Sequence, residues 1–394
     1  MAPFNIPVLG KYGVPHTTFA SNYQLFYQKG LVRRESFTNS ITYDFFETPN
    51  KRHTITPISI EFSRGTIDPA ARELLLSKNR LSYIKLIGRT IFTSGSQYTY
   101  QVNANRLNSQ GDFTYFRGSL DVGGNTLALL SRLFNTKKDT LGNRTFFGYN
   151  FAQYTKAEID LRIYRSFSHE RQLVFRISPG IGVPYGNSDE LIFEKNFYAG
   201  GANDMRAWLP RTLGPGQFNR ASYGPSDSIT RARLKYIDQF GEIKIIGNLE
   251  FRYKLADNFF GSKLKGALFA DFGNVWRLGK HTEENPGGEF KLNRIWQSTA
   301  IGIGTGLRFD LTFFVFRFDV AFKLKDPQFS GADQWVLIKH ADELFKTGDF
   351  KRNYRIDNST GINYSKDKDG RLVSKIVGDG YSFMQLNFGV GLPF

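Results

Sequence analysis

The sequence predicts an all-β fold, a transmembrane antiparallel β-barrel, and three observations carry that prediction. Aromatic and glycine content is high, with 38 Phe, 19 Tyr and 39 Gly among 394 residues. Oily and polar side chains alternate with a period of two over long stretches. No run of 18 apolar residues could cross a bilayer as a helix, and mean hydropathy is negative. A barrel gives this result because its lipid-facing and lumen-facing residues average out.

Phe and Tyr suit strands with apolar surroundings, and Gly suits tight turns and crowded interiors. The chain has no Cys, which excludes a disulfide scaffold, an iron-sulfur site and a thiolate zinc site. His16, His53, His169, His281 and His340 are scattered without metal-ligand spacing, so neither a metal nor a cofactor is expected. The formal charge of +16 fits a nucleic-acid partner, a polyanionic membrane surface or a basic lumen. Many Lys and Arg alternate with apolar residues inside strand patterns, and no nucleic-acid motif accompanies them, which favours the last two.

Along the chain we read about twelve strands, at 18–28, 36–46, 53–63, 82–103, 112–122, 153–166, 171–183, 243–255, 263–276, 296–310, 313–323 and 381–392. Thr299, Ile301, Ile303, Thr305, Leu307 and Phe309 line one side of their strand, with Ala300, Gly302, Gly304, Gly306, Arg308 and Asp310 opposite. Phe314, Phe316, Phe318, Val320 and Phe322 oppose Arg317, Asp319, Ala321 and Lys323. In the last strand Met384, Leu386, Phe388, Val390, Leu392 and Phe394 oppose Gln385, Asn387, Gly389 and Gly391. A one-residue slip would turn Arg308 or Arg317 toward lipid at about 2–4 kcal/mol each near the midplane, so the register is strongly set.

Alternation alone also fits a soluble sandwich with the oily face inside, and connector lengths bear on the choice. Short turns (Thr48-Pro49-Asn50, Asn108 to Gly111, Ser168-His169-Glu170, Asp257-Asn258) alternate with long connectors, as in barrels with short periplasmic turns and long outer loops. The long connectors are 68–78, 123–150, 186–242, 277–295 and 325–380. Two helical stretches are expected in them, Asp68 to Leu76, with an Asp cap before Pro, and Thr126 to Leu130. No linker divides the chain, so residues 1–394 read as one barrel domain. Ser-His-Asp constellations, phosphate loops and pocketed carboxylate pairs are missing from the sequence, and no enzyme is expected.

Four segments carry a specific resemblance. They are Asn196 to Trp208, with Gly200-Gly201 and Met205-Arg206-Ala207-Trp208; Gly247-Asn248-Leu249-Glu250-Phe251-Arg252; Phe269-Ala270-Asp271-Phe272-Gly273-Asn274-Val275-Trp276; and Gly302 to Phe309. In this order the set resembles the BamA/TamA superfamily, also called the bacterial surface antigen family, and in particular its TamA/TamL-like members. The resemblance implies that the 186–242 loop folds into the lumen and that Arg206 binds Glu250, Phe269 and Asp271. Alternation agrees, since it puts Glu250 on the polar side of its strand and Phe269 and Asp271 on one side of theirs. An enclosed guanidinium calls for carboxylate partners and gains from an aromatic face. Ala207 departs from the family's usual Gly, which removes the freedom of positive φ there.

The resemblance further implies a sixteen-stranded barrel preceded by POTRA domains, so about four strands and those modules would precede Met1. The start, Met1 to Pro7, has no secretory signal pattern, as expected of a segment inside a longer protein. Phe394 resembles the C-terminal aromatic assembly signal of such barrels and also suits an aromatic girdle. The location implied is the outer membrane, with a periplasmic C-terminus and lipid around the barrel. The function implied is insertion of outer-membrane proteins or protein translocation without a nucleotide, with outer-membrane or secreted proteins as clients and TamB-like or BAM-type accessory partners. The alternative is a passive channel or two-partner-type secretion pore.

Overall fold

The computed structural model describes residues 12–77, 80–107, 111–139, 142–219, 239–259, 261–279, 285–311, 314–339, 355–356, 363–366, 372–375 and 383–392. It forms two compact units, Met1–Tyr164 with Ile177–Asn196, and Arg165–Arg176 with Phe197–Phe394.

In the first unit, β1 (His16–Gln28), β2 (Val32–Thr48) and β3 (Lys51–Ile67) form an antiparallel meander. Helices α1 (Pro69–Ser77) and α2 (Leu81–Gly88) follow, then β4 (Ile91–Val102), β5 (Phe113–Gly123), helix α3 (Asn125–Leu133) and β6 (Tyr154–Ser168). β4 pairs with β3 and β5, and β5 with the part of β6 that lies in this unit. The Asp cap is present, because Asp68 Oδ1 accepts from the backbone N–H groups of Ala70 (3.1 Å) and Ala71 (3.3 Å).

Two strand starts differ from the sequence reading. The span 82–103 opens with α2, because Tyr83, Leu86 and Ile87 recur at helical spacing and bury one face. An apolar run that short has no decisive period of its own. The span 296–310 opens with a helical turn, Ile295–Ser298, and its strand begins at Ala300.

In the second unit lie the first residues of β7 (Arg171–Pro184), then β8 (Ile243–Phe259), β9 (Ser262–Trp276), β10 (Ala300–Asp310), β11 (Val315–Lys325) and β12 (Met384–Val390). β8 through β12 pair antiparallel in sequence order. Their register aligns polar residues in rows across one face. One row is Asn248, Asp271, Gly302 and Lys323; the next is Glu250, Phe269, Gly304, Ala321 and Gln385. A third is Arg252, Ala267, Gly306, Asp319 and Asn387. Small residues in the middle of these rows leave a hollow.

Burial is the reverse of a water-soluble core. Leu249, Leu268, Leu307, Phe316 (46%) and Phe388 (75%) are exposed, whereas Asn248, Glu250, Asp271, Arg308 and Asp319 are at most 1% exposed. The first unit follows the same rule, with Phe37, Ile58, Ile60 and Leu120 outward and Arg34, Ser36, Glu61 and Ser63 buried. Such sheets place their oily face in hydrocarbon, where no charged residue has to be solvated. Among the described residues no helix is long and apolar enough to cross a membrane. The strands do the crossing, in the fold of an outer-membrane β-barrel.

Candidate functional site

The site is built where the loop after Asn196 meets the hollow of the second unit. Phe197 bridges to Gly241, and Ala199 to Leu213. Between those bridges the chain makes a tight turn: Gly201 N–H donates to Trp208 O (2.8 Å), and Trp208 N–H to Met205 O (3.0 Å). Gly200 and Gly201 have φ of +107° and +105°, which glycine adopts without strain. A Cβ on Gly200 would also lie 2.2 Å from Leu209 O. Met205, Ala207 and Trp208 are buried with Phe197, Leu213, Ile246, Val275, Ala300 and Ala321, and this apolar cluster seats the turn.

Arg206, between them, is fully buried. Its Nε donates to Asp271 Oδ2 (2.9 Å) and its Nη2 to Asp271 Oδ1 (2.7 Å), forming a bidentate fork. Its Nη1 donates to Glu250 Oε2 (2.5 Å), and its backbone N–H to Asp271 Oδ2 (3.1 Å). The guanidinium carbon lies 3.5 Å from the centroid of the Phe269 ring. Burial opposes the charge, but Asp271 and Glu250 outweigh it and hold the Arg206 pKa above its ordinary value. The structure thus brings Arg206, Glu250, Phe269 and Asp271 together.

Residues not predicted to belong to the site complete it. Asn248 Nδ2 donates to Asp271 Oδ1 (2.9 Å) and to Asp204 O (2.7 Å), and Asn387 Nδ2 donates to Arg206 O (2.9 Å). Arg252 Nε donates to Glu250 Oε1 (2.8 Å), and Arg308 lies 3.5 Å from Glu250 and 2.5 Å from Asp319. Arg317 Nη2 donates to Asn203 Oδ1 (2.7 Å), and Arg176 Nη1 to Asn203 O (3.1 Å). The turn at 203–206 is thus held by side chains from β7, β8, β9, β11 and β12. Asn248 and Asn387 share polar faces with residues already identified, so parity could have found them; nothing in the loop sequence marks Asn203.

The glycines of β10 make this fit possible. A Cβ on Gly302 would lie 3.0 Å from Ala207 Cβ, and one on Gly304 would lie 2.4 Å from the Phe269 ring. Ala207 is not among the residues with positive φ, so its methyl is accommodated without backbone strain above Gly302. The later part of the loop is fastened separately. Asn274 Nδ2 donates to Gly216 O (2.9 Å) and Ser298 O (2.6 Å), and Trp276 Nε1 donates to Ser298 Oγ (2.9 Å).

Asp204, at the turn's tip, is a buried carboxyl of the loop itself. Burial pushes its carboxyl up to about 6, against the pull of Lys244 and Arg176. Among the described residues no group of three His, Asp or Glu side chains could hold a metal ion. Phe394 and residues 220–238 of the long loop lie outside the described residues.

A sheet that turns oily side chains to one face and fixes a loop arginine on its polar face defines a class, the outer-membrane β-barrels. The Omp85 superfamily domain matches residues 139–337, just over half the chain, and the protein belongs to the Omp85 superfamily. Its fold is similar to that of BamA from Haemophilus ducreyi lacking POTRA domains 1–3, with 13% identity and a TM-score of 0.52 over 79% of this chain and 56% of that one. The chain therefore spans little more than half the length of that BamA structure. CdiB from Escherichia coli aligns with 12% identity and a TM-score of 0.41, over 79% of this chain and 46% of that one. No curated protein matches in sequence. Family and fold together make this an outer-membrane protein.

Proposed function

We propose that the chain is the barrel part of a factor that inserts outer-membrane proteins or translocates proteins across the outer membrane, without nucleotide hydrolysis. One observation carries this reading: Arg206 is fully buried and held by two carboxylates, a ring face and Asn387. A pore that only admits solutes gains nothing from filling its interior with a loop fixed to five strands. An assembly factor needs its interior held in one shape while its strands work on a client, and buried charge-assisted bonds provide that rigidity. The oriented barrel would keep its short turns and C-terminus in the periplasm, with its long loops outside. Clients would be outer-membrane or secreted proteins, handed over with TamB-like or BAM-type accessory proteins of the TamA/TamL-like kind.

The test replaces Arg206 with Ala in a strain depleted of the native protein, at matched outer-membrane levels, and quantifies other barrels in the outer membrane. Several barrels should fall several-fold. An unchanged outer-membrane proteome together with raised solute permeability would replace the assembly reading with that of a passive channel or secretion pore.

A further inference from the structure

The same long loop meets a second set of paired charges before it reaches Arg206, and that set lies wholly within the first unit. Arg34 on β2 is 2% exposed. Its Nε donates to Glu194 Oε1 (2.6 Å) and its Nη2 to Glu194 Oε2 (3.1 Å), again as a bidentate fork. Its Nη1 donates to the backbone oxygens of Ile87 and Arg89, each at 3.2 Å. These carbonyls end α2, where a cation is favoured. A Cβ on Gly65 of β3 would overlap Ile87 O, so α2 rests directly on the strand backbone.

The neighbouring Lys195 repeats the pattern with opposite sign. Its Nζ donates to Asp121 Oδ2 on β5 (2.7 Å) and lies 5.7 Å from the Tyr154 ring, while Tyr154 OH donates to Asp121 Oδ1 (3.2 Å). Phe193 is buried, with its ring 5.3 Å from Phe26 and 5.5 Å from the Arg34 guanidinium. An adjacent Glu and Lys on an outer loop would ordinarily stay in water, where pairing gains little. Here each is drawn onto the polar face of the sheet and met by the opposite charge from a different strand. Reversing either partner would place like charges together, so the arrangement fixes both position and register.

We infer that Arg34, Glu194, Asp121 and Lys195 form a second latch, which holds the leading part of the long loop and the end of α2 on the polar face of the first unit. That part of the loop moves only when the latch opens. These are positioning residues, and their role is distinct from that of the Arg206 network.

The test uses chymotrypsin on the chain folded in lipid bilayers, with cleavage after Phe193 as the readout, and counts only molecules with the heat-modifiable gel mobility of a folded barrel. Arg34→Glu and Glu194→Arg should each speed this cleavage at least about ten-fold, by raising the population of the open loop. The combined swap should return it to within about three-fold of wild type, since it restores the pair. Arg34→Lys, which keeps the charge but not the fork, should fall between. Where a reversal prevents folding, Asp121→Asn keeps the shape and should still speed cleavage. Unchanged cleavage in the single variants, or a double swap cleaved as fast as either single one, overturns the latch. No client is involved, so this outcome and that of the assembly test are independent.

Discussion

The two units hold successive parts of one loop by opposite means. In the second unit the loop supplies the cation, Arg206, and the strands supply the anions Glu250 and Asp271. In the first unit a strand supplies the cation, Arg34, and the loop supplies the anion, Glu194. The settings also differ. Arg206 and both its carboxylates are fully withdrawn from solvent, whereas the Glu194 side chain keeps 15% exposure. The difference teaches that an ion pair's value here depends on what remains when it breaks. An orphaned Asp271 has no water to turn to, while an orphaned Glu194 does.

The largest expected effect follows from that contrast. Arg206→Ala takes the bidentate partner from the buried Asp271 and one of three cations from Glu250, and should destabilise the docked loop by about 3–5 kcal/mol. Arg34→Ala should cost clearly less. Asp271→Ala added to Arg206→Ala should recover part of the loss, because it removes an orphaned charge. A cycle over wild type, both single variants and the double, read by urea unfolding in detergent micelles, measures the coupling. Equal losses at Arg34 and Arg206, or strictly additive losses at Arg206 and Asp271, would break the comparison.

A smaller effect concerns pH. Asp204 titrates near 6 in the docked loop, above the ordinary Asp value of about 3.9. Its neutral form is thus favoured by docking. The associated stability is complete below about pH 4 and is lost as pH rises through 6. Hydrogen exchange at residues 200–208, corrected for intrinsic rates, should show greater protection at pH 5 than at pH 8. Asp204→Asn should flatten that dependence. Residues 191–196 lie outside the turn that carries Asp204, so a similar pH dependence there would count against assigning the effect to Asp204.

Much of this was readable in the residues themselves. Period-two alternation placed all twelve main strands because only the outward positions meet hydrocarbon, and a charge on the wrong side is costly. β2 and β3 run longer than read, at Val32–Thr48 and Lys51–Ile67, because their polar ends alternate weakly. The Arg206 partners were accessible through motif and parity together. The Arg34 to Glu194 pair was not, since 160 positions separate them and neither lies in a recognisable motif. Asn203 escaped for a similar reason: its partners on β7 and β11 come together only through sheet register.

The Arg206 turn lies docked over the glycine face of β10. The chain has no native cysteine, so Ala207→Cys with Gly302→Cys gives a reporter free of background. A Cβ at 302 would lie 3.0 Å from that of residue 207, and a shift of a few tenths of an ångström brings the pair to the spacing of about 3.5–4.5 Å that a disulfide needs. Oxidation in intact outer membranes should join the two positions rapidly and nearly completely, with the barrel still folded. A folded barrel in which they stay unjoined under oxidant would contradict the account.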